Sequence, residues 1–413
     1  MGTNSKAHPV ALAGSGLALI AVTYGLARFA YGLFVPVFRS EFAFDAATAG
    51  AITAGSYAAY CVGIVIATAA TPRVGARPVA VAAGILATIG TALIAAAPDV
   101  LVLAVGVVIG GSSTGVASPP LAQAVARTFG GRRRDRVQSV VNAGTGLGVM
   151  VSGPVALIVA ADWRVAWGVF AVLSAAATIS VAAATPAARR APTAERPVST
   201  QAGARTRRGR VPGAVRMFAA SGVMGLSTAA VWTFAQDLFV GVGGQERLPA
   251  TVAWIVLGAC GLPGAAAGDL IGRVGLRAAW VSLMLAIAAS TAILAVVPQS
   301  VVVTVIASGV FGAVYIGQTG VLLVWSTRVF ASSPARGVGL VFLVLALGQA
   351  AGSPLLGAIA DAAGLPAAFF AAALIGAAGV VLPPPRRLGG QMSSGERSPS
   401  PSSPSSATTG SSP

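Results

Sequence analysis

One apolar run follows another along this chain, each about 20 residues or longer and separated by short breaks that carry arginine. A helix needs about 20 residues to cross a ~30 Å hydrocarbon core. Inside that core, backbone N–H and C=O groups must be satisfied within the segment, which leaves helices or a closed barrel. Twelve runs can be drawn, at about residues 10–38, 47–71, 78–97, 100–129, 137–161, 163–184, 214–243, 248–271, 276–297, 300–330, 336–360 and 364–382. Only 9% of the 413 residues are charged, against about 25% in soluble domains. The expectation is an all-α membrane protein with twelve transmembrane helices.

The net charge of +16 would suggest nucleic acid in a soluble protein. Here the arginines sit in short loops, where the positive-inside rule places them. With the N-terminus inside, 23 of the 27 lysines and arginines fall on the cytoplasmic side, and Arg39, Arg164 and Arg247 on the other. Arg28 is left within the membrane. This predicts a multi-pass protein of the inner (cytoplasmic) membrane with both termini cytoplasmic, embedded in the lipid bilayer, monomeric and without a nucleic-acid partner. The N-terminal run could pass for a signal peptide, but it continues past residue 35 and is read as an uncleaved first helix.

Residues 185–213, rich in Arg, Pro and Ser/Thr, read as a basic linker between two six-helix bundles, 10–184 and 214–382. Residues 1–9 form a cytoplasmic N-tail. Residues 383–413 cannot bury a core and read as a disordered tail.

Several chemistries are disfavoured. Cys61 and Cys260 lie in apolar runs, and His8 is the only histidine. No disulfide framework, His-based metal site or Ser–His or Cys–His pair can be assembled. No phosphate-cradling loop appears. The loop acids are scattered, so a membrane-embedded enzyme or receptor is the weaker alternative, and no cofactor is expected.

The two halves resemble each other. FAYGLFV (29–35) matches FAQDLFV (234–240) at an offset of 205, and RVGAR (73–77) matches RVGLR (273–277) at 200. Arg136, Pro154 and Phe170 find Arg336, Pro354 and Phe370 at the same 200. Parallel repeats of this kind surround a midplane site in many secondary transporters.

The chain resembles the major facilitator superfamily over about residues 10–385. That family carries G-x-x-x-D-R-x-G-R-R between helices 2 and 3, with a weaker copy between helices 8 and 9. The first copy here keeps Arg73, Gly75 and Arg77, with Pro72 in place of the Asp. The second keeps Gly268, Arg273, Gly275 and Arg277, with Gly272 in the Asp position and Asp269 one turn earlier as a possible substitute. The resemblance implies cytoplasmic gate loops at these residues, in a fold of two pseudo-symmetric bundles. Trp163, Arg164 and Phe170 resemble the family's W-R-x-x-F signature, and Gly153-Pro154 echoes its antiporter motif without the glycines that follow. The arginine common in drug exporters would fall at Gly106. GLARFAYGLFVP (25–36) is similar to the YbfB/YjiJ-like branch.

Arg28 is the most costly residue to place, since an arginine at a bilayer centre costs about 2.5–3.5 kcal/mol on insertion scales. On a regular helix Tyr24, Arg28 and Tyr31 share one face. Arg28 either locks packing through carbonyls or a carboxylate, or faces a watery cavity. Its predicted partner is Asp237, the acid nearest the middle of a span. Tyr57, Tyr60, Thr114, Ser118, Asn142, Thr145, Thr228, Trp232, Tyr315, Gln318 and Thr319 are candidates to line the path; singly, each is more often packing glue. Gly144 and Gly148, and Gly348 and Gly352, are spaced four apart and permit close helix contact. The functional expectation is a secondary active transporter of a small-molecule organic substrate. A proton is the expected coupling ion, carried by Asp237. Export stands first, and uptake of a small organic anion with Arg28 as counter-charge stands as the alternative.

Overall fold

The structure is a computed structural model of the chain, described over residues 9–159, 162–185, 213–262, 267–331 and 333–385. The predicted linker, apart from its two end residues, and nearly all of both tails lie outside the described residues. The described residues are helical, without strands. The helices are α1 (Pro9–Phe42), α2 (Ala46–Val74), α3 (Ala76–Ala95), α4 (Val100–Thr128), α5 (Gly131–Ile158), α6 (Trp163–Ala184) and α7 (Ala214–Val242). They continue as α8 (Arg247–Gly261, resuming over 267–274), α9 (276–296), α10 (Val301–Val329), α11 (Pro334–Ala363) and α12 (Leu365–Ala378). Ten of the described helical stretches are long and apolar enough to cross a membrane, and two more are shorter and apolar. The protein is thus an all-helical, multi-pass membrane protein with twelve helices, as its apolar runs predict.

Helix starts on the face that holds Arg39, Arg164 and Arg247, hereafter the Arg-poor face, explain the scattered acids. Asp45 accepts from Thr48 N (2.8 Å), Asp99 from Leu101 N and Val102 N (both 2.9 Å), and Asp162 from Arg164 N (2.9 Å). Each satisfies N–H groups that have no partner within the helix. These loop acids are caps, not a catalytic cluster.

The internal repeat is written into the backbone. Gly75 ends α2 at φ 95°, ψ 163°, and Gly275 breaks the eighth helix from the ninth at φ 82°, ψ 158°. A residue with a Cβ rarely adopts that conformation, so both copies of RVG-x-R need glycine there. Packing repeats as well: α1 lies against α5 and α7 against α11. A Cβ on Gly144 or Gly148 would strike the backbone of Leu17 or Ala21, and one on Gly348 or Gly352 the backbone of Gly222 or Leu226.

The bundles meet along two pseudo-equivalent pairs, α2 with α11 and α5 with α8, and where α1 touches α7. Gly50 lies on Ser353, Gly357 on Ala46, and Trp254 Nε1 donates to Ser152 Oγ (3.0 Å). Asp361, on α11, accepts from Ala46 N (2.9 Å) and Ala47 N (2.7 Å), so one bundle caps a helix of the other. These contacts gather toward the Arg-poor face. On that side they close the seam between α2 and α11.

Candidate functional site

Arg28 lies in α1 where the helix widens into a π-helical segment, Ala21–Phe29. Such segments are rare and cluster at functional sites. The regular helix assumed from the sequence is corrected here. Tyr24 and Arg28 stay neighbours, whereas the Tyr31 hydroxyl turns toward Ala49 O (3.4 Å).

Arg28 is 8% exposed, and its guanidinium sits among ring faces: Tyr57 at 4.3 Å, Tyr60 at 4.7 Å, Phe29 at 5.1 Å and Tyr24 at 5.9 Å from the ring centroids. Cation–π contacts are worth up to about 2 kcal/mol when desolvated, so the cage offsets much of the burial cost. It does not neutralise the charge. No carboxylate pairs with Arg28 among the described residues, and its Nε has no hydrogen-bond partner.

The predicted Arg28–Asp237 pair is not formed. Asp237 pairs with Arg39, near the Arg-poor end of α1, and that arginine also donates to Phe44 O (3.3 Å). The repeat offset placed Asp237 opposite Gly32, one turn past Arg28, and the structure carries the pair further up the seam. Arg39 had been counted only as a loop charge. On the same face Glu41 pairs with Arg164 (2.7 Å) and accepts from Trp163 Nε1, and Arg164 donates to Ala97 O (3.0 Å). The Trp-Arg motif therefore ties α6 to α1 and to the α3–α4 turn.

The second bundle presents an aromatic wall. Trp232 stacks on Phe29 across the seam with centroids 4.1 Å apart. It meets Tyr315 at 5.2 Å, and Phe311 and Trp254 at 6.0 Å. Gln349 Nε2 donates to the Tyr315 hydroxyl (3.3 Å). A small cavity of about 10 Å³ remains between the bundles, lined by Arg28, Phe29, Tyr31, Thr53, Ser56, Tyr57 and Trp232, among others. A larger cleft of about 370 Å³ opens among the Arg-poor ends of α1, α5, α7 and α8.

The structure thus gathers Arg28, Tyr24, Tyr57, Tyr60, Trp232 and Tyr315, and adds Phe29, Ser56, Phe311 and Gln349, which sequence reasoning missed. Tyr24 shares a hydrogen bond with Ser118 (2.9 Å). Other candidates turn elsewhere. Gln318 donates to Trp280 O (3.4 Å), and Thr228 and Thr319 bond back to their own helices. Thr114 donates to Thr23 O (3.2 Å), bracing the π segment. Asn142 is exposed and accepts from Gln138 (3.1 Å), and Thr145 is half-buried. In the gate loops Arg73 donates to Ala69 O (3.1 Å), while Arg77, Arg273 and Arg277 are exposed. The side chain of Asp269, the predicted substitute latch, lies outside the described residues. Gly153 packs on Ile255 and Thr251, one residue before Pro154.

The fold resembles solved transporters. A bacterial homolog of the human lysosomal transporter Spinster, inward-facing and unoccupied, superposes with a TM-score of 0.67 at 16% identity, covering 92% of this chain and 95% of that one. A mutant of the peptide transporter POT gives 0.70 at 17% identity, covering 91% and 92%. A POT family transporter in complex with 5-aminolevulinic acid gives 0.70 at 11% identity, covering 91% and 94%. No curated protein matches the sequence. The family described as "Uncharacterised MFS-type transporter YbfB" matches residues 20–383. With that match over most of the chain and a twelve-helix fold shared with known transporters, the protein belongs to the major facilitator superfamily, in its YbfB-type family.

Proposed function

We propose that this secondary transporter carries a small organic anion through alternating exposure of the seam between its bundles, with Arg28 as the counter-charge. The observation that supports this is the separation of the two predicted partners. Asp237 is taken by Arg39, and Arg28 stays buried and without a carboxylate among the described residues. Intramembrane charges are costly and face cavities or partners. A cation kept there unpaired is supplied with its partner by the solute.

Coupling to a proton follows from the charge of the cargo. With the Arg-rich side cytoplasmic, a membrane potential negative inside opposes anion entry by about 2.3 kcal/mol per charge per 100 mV. Uptake against it needs a co-transported cation. Asp237 is placed to carry a proton. While the α2–α11 contact on the Arg-poor side is closed, Asp237 pairs with Arg39. Opening that side separates the pair, and the freed carboxylate binds a proton from outside. Reclosure returns Arg39, which displaces the proton from Asp237 into the seam, and it leaves when the Arg-rich side opens. The reading places the protein in the inner membrane as a monomer with both termini cytoplasmic, and favours uptake over the export suggested by the diluted antiporter motif.

The test is transport in proteoliposomes with and without an imposed pH gradient, using a panel of organic anions, cations and neutral solutes. Gradient-driven anion uptake is expected from the wild type, and loss of the gradient dependence from Asp237→Asn. Selective movement of cations, or an undiminished gradient effect in Asp237→Asn, contradicts the reading.

A further inference from the structure

Two buried N–H donors on opposite sides of the seam lack acceptors among the described residues. Arg28 Nε belongs to α1 and Trp232 Nε1 to α7, in opposite bundles, and neither has a hydrogen-bond partner. Ser56 Oγ on α2 is a third buried polar atom without one. All three residues line the same 10 Å³ cavity and are 8%, 5% and 3% exposed. Buried polar groups are almost always satisfied, so orphans gathered at one place call for a ligand. One water, for which the cavity has about enough room, can accept from both donors but brings no charge to match Arg28.

We propose that the transported anion is an aromatic carboxylate whose carboxylate bridges the bundles, accepting from Arg28 on one side and from Trp232 Nε1 on the other. Ser56 donates to the same group. This rests on the anion reading above and names the class of cargo. A carboxylate offers two acceptor oxygens and no donor, which matches two orphan N–H groups and a cation. The body of the cargo is set by the walls. Around the orphans stand Phe29, Tyr57, Tyr315 and Phe311, all rings. The Phe29–Trp232 stack joins the two bundles. When the bundles part, that stack opens into a slot between two ring faces, and a flat ring fills it with the offset or edge contacts that such faces favour. Because the carboxylate is held from both bundles, its binding favours their closure. An aliphatic acid satisfies the donors but not the slot, and a neutral aromatic amide fills the slot but places no charge beside Arg28.

The experiment measures binding to the full-length protein in nanodiscs, by thermal shift and quenching of tryptophan fluorescence. The probes are benzoate, cyclohexanecarboxylate and benzamide. Benzoate is expected to bind at least tenfold more tightly than either. Trp232→Phe keeps an aromatic face, though a smaller one, and deletes the N–H. A hydrogen bond to a charged group is worth enough to change affinity roughly tenfold or more, so that variant is expected to lose about tenfold for benzoate and little for benzamide. If both carboxylates bind equally, or Trp232→Phe binds benzoate like the wild type, this proposal fails and the anion reading stands. If benzamide binds as tightly as benzoate, or neither carboxylate binds, both fail.

Discussion

At the scale of single residues, the balance at Arg28 is one of cost against function. Four rings hold a guanidinium that no carboxylate among the described residues neutralises. A buried charge without a counter-ion carries a desolvation cost that an apolar side chain of similar size does not. Arg28→Met is therefore expected to melt within about 1 kcal/mol of the wild type while losing anion binding; thermal unfolding in detergent checks this, and a large loss would mark Arg28 as a packing element. Asp237→Ala should behave oppositely. It strands Arg39 half-buried at the seam, at a cost of roughly 1–3 kcal/mol in the same assay. Asp45 gives a pH signature. The hydrogen bonds from Thr48 hold its carboxyl below the ordinary value at an exposed helix start. That contribution is complete above the ordinary carboxylate range and is lost as pH falls through the depressed value. The melting difference between wild type and Asp45→Ala should shrink on acidification, and a difference that grows would contradict the cap. Arg28 stood out in the sequence because a cation in an apolar run is conspicuous. Phe29 and Ser56 did not, because rings and hydroxyls in apolar runs are ordinary.

At the scale of elements, apolar length alone revealed the twelve helices, and four-residue glycine spacing revealed two close contacts. Neither told which helix each glycine meets, since that is settled by the partner's backbone. The π segment was invisible for a related reason. Its wider turn is stabilised by neighbours, including Thr114 bonding to Thr23 O and Gly25 lying on Gly148, and not by a local sequence signal. Gly148→Leu should disrupt folding or insertion, because its side chain would enter the backbone of α1. Gly168→Ala, on α6 with open space around it, should be tolerated or stabilise by up to about 1 kcal/mol. Yield of folded protein by size-exclusion chromatography separates the two. Equal behaviour would overturn the packing assignment.

At the scale of the whole molecule, the repeat at offset 200 foretold the twofold relation, and Gly75 and Gly275 carry it in matching backbone angles. The state of the seam was not legible, because one sequence must populate more than one arrangement and only differential contacts decide between them. Here the contacts that favour closure of the Arg-poor side are Arg39 with Asp237 and Asp361 on the start of α2. Removing the second leaves Ala46 N and Ala47 N without an acceptor. Asp361→Ala is expected to raise, severalfold or more, the labelling rate of Thr53→Cys by an impermeant thiol reagent added from the Arg-poor side, in a background lacking Cys61 and Cys260. An unchanged rate would show that Asp361 does not hold that side shut.

In the proposed transport cycle the solute completes the charge of Arg28. Solute exchange in proteoliposomes loaded with unlabelled carboxylate, with labelled benzoate outside, reads it directly, because exchange needs binding and reorientation but no driving force. The account predicts rapid exchange by the wild type, partial exchange by Arg28→Lys and none by Arg28→Gln in protein that remains folded. Exchange by Arg28→Gln at the wild-type rate would contradict it.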